Sequence, residues 1–276
     1  MGLRVNTNLF SLNAQRNLNN VSSRLQGNFE RLSSGLRISR AADDAAGLAI
    51  SERLRAQVRS LDQAGRNTQD GISVVQTAEG ALSETTGNLT RLRELAVQAS
   101  SGTLNTADRA SLDAEFSALT SEIDRVADQT TFNGTNLLNG STSSIDIQVG
   151  TESGETIQVT LDDVNTSSLG LVSGATAFDL TSVTNASAAI NTIDSAIDSV
   201  TSFRGDLGAS QNRLQSAFRS ISSTSENLSA AESRIRDVDI AKETADLTRN
   251  SILQQAAVSV LSQANVQPQL ALRLLG

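Results

Sequence analysis

The chain has 276 residues, a formal net charge of −8 and only 3% aromatic residues, with no Trp and no Tyr. It also lacks Cys and His, which excludes thiol nucleophiles, thiolate or imidazole metal ligands and imidazole general bases. We therefore expect no enzyme, no metal site and no cofactor. The acidic balance argues against nucleic acid as a partner, because a nucleic-acid-binding face needs clustered cations.

The first element in chain order is an amphipathic helix near the start. Its apolar residues recur at steps of three and four, which is the period of a helix with one buried face. No run of 18 apolar residues occurs in the chain, so no membrane insertion is expected, and the first 15 residues do not resemble a signal peptide. The stripe of this helix consists of Leu18, Val21, Leu25, Phe29, Leu32 and Leu36.

An acidic pair, Asp43 and Asp44, follows this helix and lies close to Arg37 and Arg40. Two adjacent carboxylates are compatible with metal binding or acid–base chemistry. The alternative is that they open the next helix, because an Asp cap satisfies free amide groups and a second Asp favours the positive end of the helix dipole. We favour the structural interpretation, in which the pair marks the joint between the terminal helix and a long helix.

Two long helices are predicted by apolar residues that return at every seventh position. Such seams predict that the two helices pack side by side as a coiled coil. Thr68 occupies a position inside the first seam, Ala96 extends that seam, and Ile235 extends the second. The first seam consists of Leu54, Leu61, Val75, Leu82 and Leu89, and the second of Ile193, Val200, Leu207, Leu214, Ile221 and Leu228.

Between the two seams the sequence predicts a shorter helix and a β-hairpin. Leu112, Phe116 and Ile123 belong to the stripe of the helix, for which Thr106 or Asp108 is the expected cap. The segments "IDIQV" and "TIQVTL" alternate apolar and polar residues around the turn-forming "GTESGE". We place the hairpin within a region of about residues 130–185.

The last element is a second amphipathic terminal helix, with a stripe that includes Ile240, Leu247 and Ala264. Short isolated helices are marginal in water, so the two terminal helices need each other or further copies of the chain. Folding of the ends is therefore expected to be coupled to association. The predicted subunit contacts are Leu18, Leu25, Phe29, Leu32, Ile252, Val260 and Leu270.

The predicted fold class is mainly α. It consists of a long antiparallel helical bundle, or coiled-coil rod, with a small β-hairpin region, and of N- and C-terminal helices paired in a second domain. We expect the terminal-helix domain at residues 1–40 plus 238–276 and the rod domain at residues 41–237.

Several distinctive segments follow one another along the chain: "VNTNLFSLNAQRNL", "RLSSGLRISRAADDAAGLAISERLRAQVRSL", "RLRELAVQAS", "SENLSAAESRIRDVDIAKE" and "ILQQAAVSVLSQANVQPQ". These segments resemble bacterial flagellin, and they occur in the order in which that family has them. About 35 residues, 150–185, remain for the variable part of a flagellin, so the resemblance is to a short form without outer domains.

This resemblance implies a self-assembling subunit of the extracellular flagellar filament, the helical propeller for motility. It further implies export without a cleaved signal peptide, a secretion chaperone, and cap and hook-junction proteins as partners. It also implies recognition by toll-like receptor five through Arg91, Leu95 and Glu115.

Two alternatives remain at this stage. A flagellar hook–filament junction protein shares the terminal helices with the filament subunit. A helical-hairpin signalling or adaptor protein, from a different class, predicts a closed dimer, whereas a filament subunit predicts open-ended polymerisation.

Overall fold

The computed structural model describes residues 7–173 and 176–275, and at residues 173, 176–177 and 268–275 it describes the backbone alone. Five helices account for most of the described chain, and short antiparallel hairpins lie between the third and fourth. The helices are α1 (Leu9–Ser34), α2 (Ala45–Ala99), α3 (Thr106–Gln129), α4 (Val183–Arg236) and α5 (Ile240–Leu275). The strands are β1 (Thr131–Phe132), β2 (Thr135–Asn136), β3 (Ser144–Gln148), β4 (Thr156–Thr160), β5 (Val172–Ser173) and β6 (Thr176–Ala177).

The chain forms two compact units. The first comprises Met1–Val58 with Glu226–Gly276, and the second comprises Arg59–Ser225. Both divisions fall inside long helices, since α2 and α4 each contribute residues to both units. The sequence predicted a boundary between a terminal-helix domain and a rod domain at residues 40 and 238. These domains refer to the assembled subunit, and their boundaries remain a prediction.

In the second unit α2 and α4 run antiparallel. Ser225 Oγ donates to Asp62 Oδ1 at 3.1 Å near one end, and Arg93 Nε lies 2.6 Å from Asp194 Oδ1 near the other. The seven-residue seams face each other along this pair, so their large apolar residues form the core of the unit. Val75, Leu82, Leu89, Ile193, Val200, Leu207 and Leu214 are at most 1% exposed, and Leu61 and Ile221 are also buried.

The first seam continues into the first unit at Leu54, and the second seam does so at Leu228. Both residues are only half-buried.

The predicted mainly α fold, with long antiparallel helices, a small hairpin region and paired terminal helices, is confirmed. Among the described residues, no helix is both long enough and apolar enough to cross a lipid bilayer.

Helix α3 folds back along α2, and its start differs from the predicted one. The N-cap is Asn105, whose side chain accepts from the Asp108 backbone amide at 2.8 Å, while the Asp108 carboxylate accepts from the Asn105 amide. Asp108 is therefore the third residue of a capping box, because a carboxylate there reaches back to the cap amide. Arg109 is buried and donates to the carbonyls of Ala99 and Ser101, which satisfies the end of α2.

The predicted hairpin is formed by β3 and β4, with Ile147 opposite Ile157 and Ile145 opposite Val159. Val159 is fully buried, whereas the alternate residues of β4 face solvent. The hairpin approaches α2 closely at Gly71, where a Cβ atom would lie 3.0 Å from Ile147 Cγ1. A glycine at this position therefore lets the hairpin dock on the helix.

Truncation of a seam residue should measure the contribution of the seam to stability. We expect Leu89→Ala to lower the free energy of unfolding by about 2–5 kcal/mol, because it leaves a cavity at a fully buried position. Chemical denaturation followed by circular dichroism gives this value. The control is Val97→Ala on the same helix, at a side chain that is 47% exposed, and it should change stability by less than about 0.5 kcal/mol. Equal losses in the two variants would contradict the assignment of the core.

Candidate functional site

In the first unit α1 and α5 pair along one face of each helix. The buried and half-buried residues of both helices recur at alternating steps of three and four, which is the spacing of a coiled-coil seam. This pairing face consists of Ser11, Ala14, Leu18, Val21, Leu25, Asn28 and Leu32 on α1, and of Glu243, Leu247, Asn250, Gln254, Ala257, Leu261 and Ala264 on α5.

Hydrogen bonds between the two helices fix their direction. Asn8 Nδ2 donates to the Ala264 carbonyl at 2.7 Å, and Gln254 Nε2 donates to Ser22 Oγ at 3.4 Å. Asn250 Nδ2 donates to Asn28 Oδ1 at 2.9 Å. Residue numbers rise along α1 while those of their partners fall along α5, so the two helices are antiparallel.

A polar cluster interrupts this pairing face. The side chains of Asn28 and Glu243 are buried, and Asn28 Nδ2 donates to Glu243 Oε1 at 2.8 Å. The Asn28 amide thus uses its nitrogen on Glu243 and its oxygen on Asn250. Arg31 Nη1 lies 3.9 Å from Glu243 Oε1 and supplies an opposite charge at the rim. Apolar periodicity did not reveal these residues, although Glu243, Asn250 and Ala257 keep the seven-residue spacing of a seam.

Both terminal helices also carry apolar side chains that face solvent. Ten of the fourteen exposed large apolar residues of the described chain lie on these two helices, although the helices are a minority of its length. A concentration of exposed apolar side chains marks an interaction surface. We call this set the outward face; it consists of Leu9, Phe10, Leu12 and Phe29 on α1 and of Ile240, Ile252, Leu253, Val258, Val260 and Val266 on α5.

The predicted subunit contacts divide between the two faces. Phe29, Ile252 and Val260 are 57%, 61% and 58% exposed and belong to the outward face. Leu18, Leu25 and Leu32 are half-buried on the pairing face, so their apolar character serves contacts inside one subunit. The side chain of Leu270 lies outside the described residues. The stripe predicted for the last helix combined residues of both faces.

The acidic pair lies at the joint between α1 and α2, and its two members act differently. Asp44 Oδ1 accepts from the Gly47 amide at 2.9 Å, which makes Asp44 the N-cap of α2. Asp43 Oδ2 accepts from the amides of Ser39 and Arg40 at 3.1 and 3.0 Å and so closes the preceding loop. Hydrogen bonds from the amides of Arg40 and Ser39 lower the pKa of Asp43 below the ordinary value of an aspartate.

The loop before the acidic pair also meets the connection between α4 and α5. The Arg37 amide donates to the Arg236 carbonyl at 2.7 Å, and the Val238 amide donates to the Gly35 carbonyl at 3.0 Å. Ile38 is 1% exposed, and a Cβ atom at Gly47 would lie 2.8 Å from its Cδ1 atom. The joint is therefore a packed, hydrogen-bonded junction, and its carboxylates are used in holding the backbone.

The three residues predicted to contact an immune receptor lie on α2 and α3. Arg91 Nη2 is 2.8 Å from Glu115 Oε1, and both side chains are about half exposed. The hydrogen bonds to Glu115 and Glu94 raise the pKa of Arg91 above its ordinary value. Leu95 is fully buried in the core of the second unit. Its predicted contact with a receptor remains a prediction.

Nothing in the described part of the chain has the form of a catalytic site. There, no group of three or more Asp or Glu residues is arranged to hold a metal ion. The features of the site are paired helices, a polar cluster between them and an apolar face turned outward. These features are typical of a helical structural protein that carries an exposed apolar interaction surface.

Comparison with known proteins identifies the family. A family model described as the bacterial flagellin N-terminal helical region matches residues 5–143, and one for the flagellin C-terminal helical region matches residues 190–275. The chain is 51% identical over 271 residues to a flagellin of Halalkalibacterium halodurans, covering 98% of this chain and 99% of the relative. It is 45% identical to a flagellin of Bacillus subtilis, covering 99% of this chain and 100% of the relative.

A solved structure agrees with these relatives. The crystal structure of Bacillus cereus flagellin matches with a TM-score of 0.51 and 34% identity, over 60% of this chain and 94% of that one. The chain therefore belongs to the flagellin family, in a short form. It is a structural subunit of the extracellular flagellar filament, and it is not an enzyme.

The lowered pKa of Asp43 predicts how the joint responds to acid. Because its pKa is lower in the folded chain than in the unfolded chain, Asp43 stabilises the joint at pH values above the ordinary aspartate pKa. This stabilisation is lost as the pH falls through the lower, folded-state value. Hydrogen-exchange protection of the Ser39 and Arg40 amides should therefore fall in acid, by less than about tenfold because the carboxylate is exposed to solvent.

The control for this prediction is Asp43→Asn, which removes the titration. In this variant we expect weaker protection at neutral pH and no further loss attributable to this carboxylate in acid. Identical protection profiles in the native chain and the variant would contradict the role given to Asp43.

Proposed function

We propose that the subunit polymerises through the outward face of the α1–α5 pair, which packs against other copies of the chain. The observation that carries the proposal is the concentration of exposed apolar side chains on these two helices. Burial of a large apolar side chain contributes about 1.5–3 kcal/mol, so a few such residues suffice for a strong contact. Helices α1 and α5 already pack against each other along their pairing face. The outward face is therefore the one available to neighbouring subunits.

The contacts of a filament must join two different surfaces, because a contact between identical patches closes into a dimer. We place one surface around Phe29 on α1 and the other around Ile252 and Val260 on α5. These positions support the earlier expectation of a separate terminal-helix domain, residues 1–40 with 238–276, whose ordering accompanies assembly.

Substitution on the outward face should block assembly and leave the monomer folded. We expect Phe29→Ser and Val260→Ser each to reduce the yield of seeded filaments by more than tenfold, because each removes an apolar contact between subunits. Electron microscopy and sedimentation measure the yield, and circular dichroism of the monomer should be unchanged.

Matched controls come from exposed residues of the same type in the second unit. Phe218 is 38% exposed and Val183 is 42% exposed, so Phe218→Ser and Val183→Ser reproduce the chemical change at another place. Equal effects at the two places would refute the proposed contact. Deletion of residues 1–35 or 240–276 should abolish filaments, and filaments of normal yield after either deletion would refute it as well.

The same experiment separates the alternatives. A filament subunit forms long open polymers by itself after seeding. An adaptor protein stops at a dimer of fixed size, and a hook–filament junction protein does not extend a filament of its own copies. The match to flagellins over nearly the whole chain favours the first outcome.

We further propose the partners that the family resemblance implies. These are a secretion chaperone at the C-terminal helix, the cap at the growing tip and hook-junction proteins, with export that needs no cleaved signal peptide. The exposed apolar residues of α5 support the chaperone, because a chain held before assembly needs this surface covered.

Recognition by toll-like receptor five is proposed through Arg91 and Glu115. Their ion pair presents a charged, half-exposed patch on adjoining helices, in contrast to the buried Leu95. We expect Arg91→Ala to reduce activation of a receptor reporter by about tenfold, since charged hydrogen bonds at an interface contribute about 1.5–3 kcal/mol.

The control is Arg125→Ala, because Arg125 is also half exposed and paired, to Glu122, on the neighbouring helix. It should leave reporter activation unchanged. Activation that is equally high in Arg91→Ala and the native chain would reject the receptor proposal.

A further inference from the structure

The α2–α4 pair of the second unit carries two exposed rows of residues, one on each helix. Residues seven apart lie on one face of such a helix, and every member of the rows is exposed except Ser73, which is half-buried. We call the two rows together the open face; it consists of Arg59, Arg66, Ser73, Gly80, Gly87 and Glu94 on α2 and of Asn191, Asp198, Gly205, Asn212 and Arg219 on α4.

The two rows lie on the same side of the helix pair. Asp62 Oδ1 accepts a hydrogen bond from α4 at 3.1 Å and is four residues from Arg66 in the α2 row. Asp194 Oδ1 lies 2.6 Å from an arginine of α2 and is four residues from Asp198 in the α4 row. Residues four apart are neighbours on a helix surface, so both rows border the line along which these contacts join the helices.

Glycines occupy the middle of the open face. Gly80, Gly87 and Gly205 are exposed, and a Cβ atom at any of them would have nothing of the described chain within 4 Å outside its own helix turn. Glycine inside a helix is less stable than alanine, so the subunit by itself gains nothing from these residues. A helix without Cβ atoms at its surface does allow another backbone to approach closely.

Arginines gather at one end of the open face. Arg219 is six residues before Ser225, which donates to Asp62, so it lies near the level of Arg66 in this antiparallel pair. Arg59 is seven residues before Arg66 on α2. None of the three arginines forms an ion pair within the described residues. Three such guanidinium groups together favour an acidic partner.

The β3–β4 hairpin carries the complementary charge. Residues 126–203 contain nine Asp or Glu residues and no Lys or Arg, and Asp146 and Glu152 of this segment are exposed on the hairpin and its turn. The hairpin docks on α2 at Gly71, which is five residues, or about 140° around the helix, from Arg66. It therefore lies on a different side of the second unit from the open face.

We propose that the open face binds the acidic β3–β4 hairpin of a second copy of the chain. The arginines pair with its carboxylates, and the glycines let the neighbouring backbone approach. The contact joins two different surfaces, so its repetition extends a polymer without closing it. This inference rests on the proposed polymerisation, and it adds a contact in the second unit to the one made by the outward face.

A charge exchange in the full chain tests the contact. One variant combines Arg59→Glu with Arg66→Glu, and the other combines Asp146→Arg with Glu152→Arg. Each variant alone brings like charges together, so we expect its yield of seeded filaments at low ionic strength to fall by more than about tenfold. An equimolar mixture places opposite charges at every contact when the two variants alternate, and it should restore the yield to within about threefold of the native chain.

Electron microscopy and sedimentation measure these yields, and circular dichroism of each monomer should match the native chain. A mixture that is no better than the separate variants would overturn the inference. A normal yield from either variant alone would overturn it as well.

Side chains added in the middle of the open face give an independent test. Gly80→Gln combined with Gly87→Gln has room within the subunit, and glutamine is the better helix former, so the thermal stability of the monomer should not fall. The yield of filaments should fall by at least about tenfold, because two added side chains hold the surfaces apart.

The control for the glycine variant is Ala114→Gln combined with Ala118→Gln, at exposed positions of α3. It adds side chains at two places outside the open face and should leave the yield of filaments unchanged. A normal yield in the glycine variant, or equal losses in the two variants, would overturn the inference.

The outward-face variant Phe29→Ser separates this inference from the proposed function. It removes an apolar contact in the first unit, so mixing with a charge-reversed variant should not restore its yield. Normal filaments from Phe29→Ser would refute the outward face and still leave the charge exchange to decide on the open face.

Discussion

The structure depends on burying a seven-residue repeat of medium-sized apolar side chains between antiparallel helices. Few aromatic residues are available, so the core consists of Leu, Ile, Val and Ala in rows, with Phe116 and Phe203 as its buried rings. Rows of this kind are stable only when another helix with the same spacing covers them. The chain meets this requirement twice, with α2 and α4 in the second unit and with α1 and α5 in the first.

The two helix pairs treat polar residues in different ways. Between α2 and α4 the charged positions lie at the edges, where Arg93 meets Asp194 and Arg204 lies 3.8 Å from Glu79, with all four side chains at least one-third exposed. Such exposed pairs contribute little to stability. Between α1 and α5 the side chains of Asn28 and Glu243 are buried and hydrogen-bonded to each other, so breaking that contact leaves a buried partner unsatisfied.

Exposed apolar side chains are distributed unevenly along the chain. A folded protein that works alone keeps few large apolar side chains together on its surface, whereas here they concentrate on the terminal helices. The joint around Asp43 and Asp44 positions these helices relative to the start of α2, through a helix cap, a closed loop and backbone hydrogen bonds to the connection before α5. The exposed surface, the polar cluster and the joint all lie within the first unit.

The sequence by itself determined the periodic elements: the long helices, the β3–β4 hairpin, the terminal helices and the family. The hydrophobic periods of helices and strands are local, so a short window of the sequence is enough to identify them. The sequence did not distinguish Asn105, the observed N-cap of α3, from Thr106 and Asp108, because Asn, Thr and Asp all favour the N-cap position. Only the tertiary structure decided that Leu18 and Leu32 face α5 while Phe29 faces outward, and that Leu95 lies in the core. The sequence shows that an apolar residue favours burial. Which helix buries it depends on the tertiary packing of that helix against others.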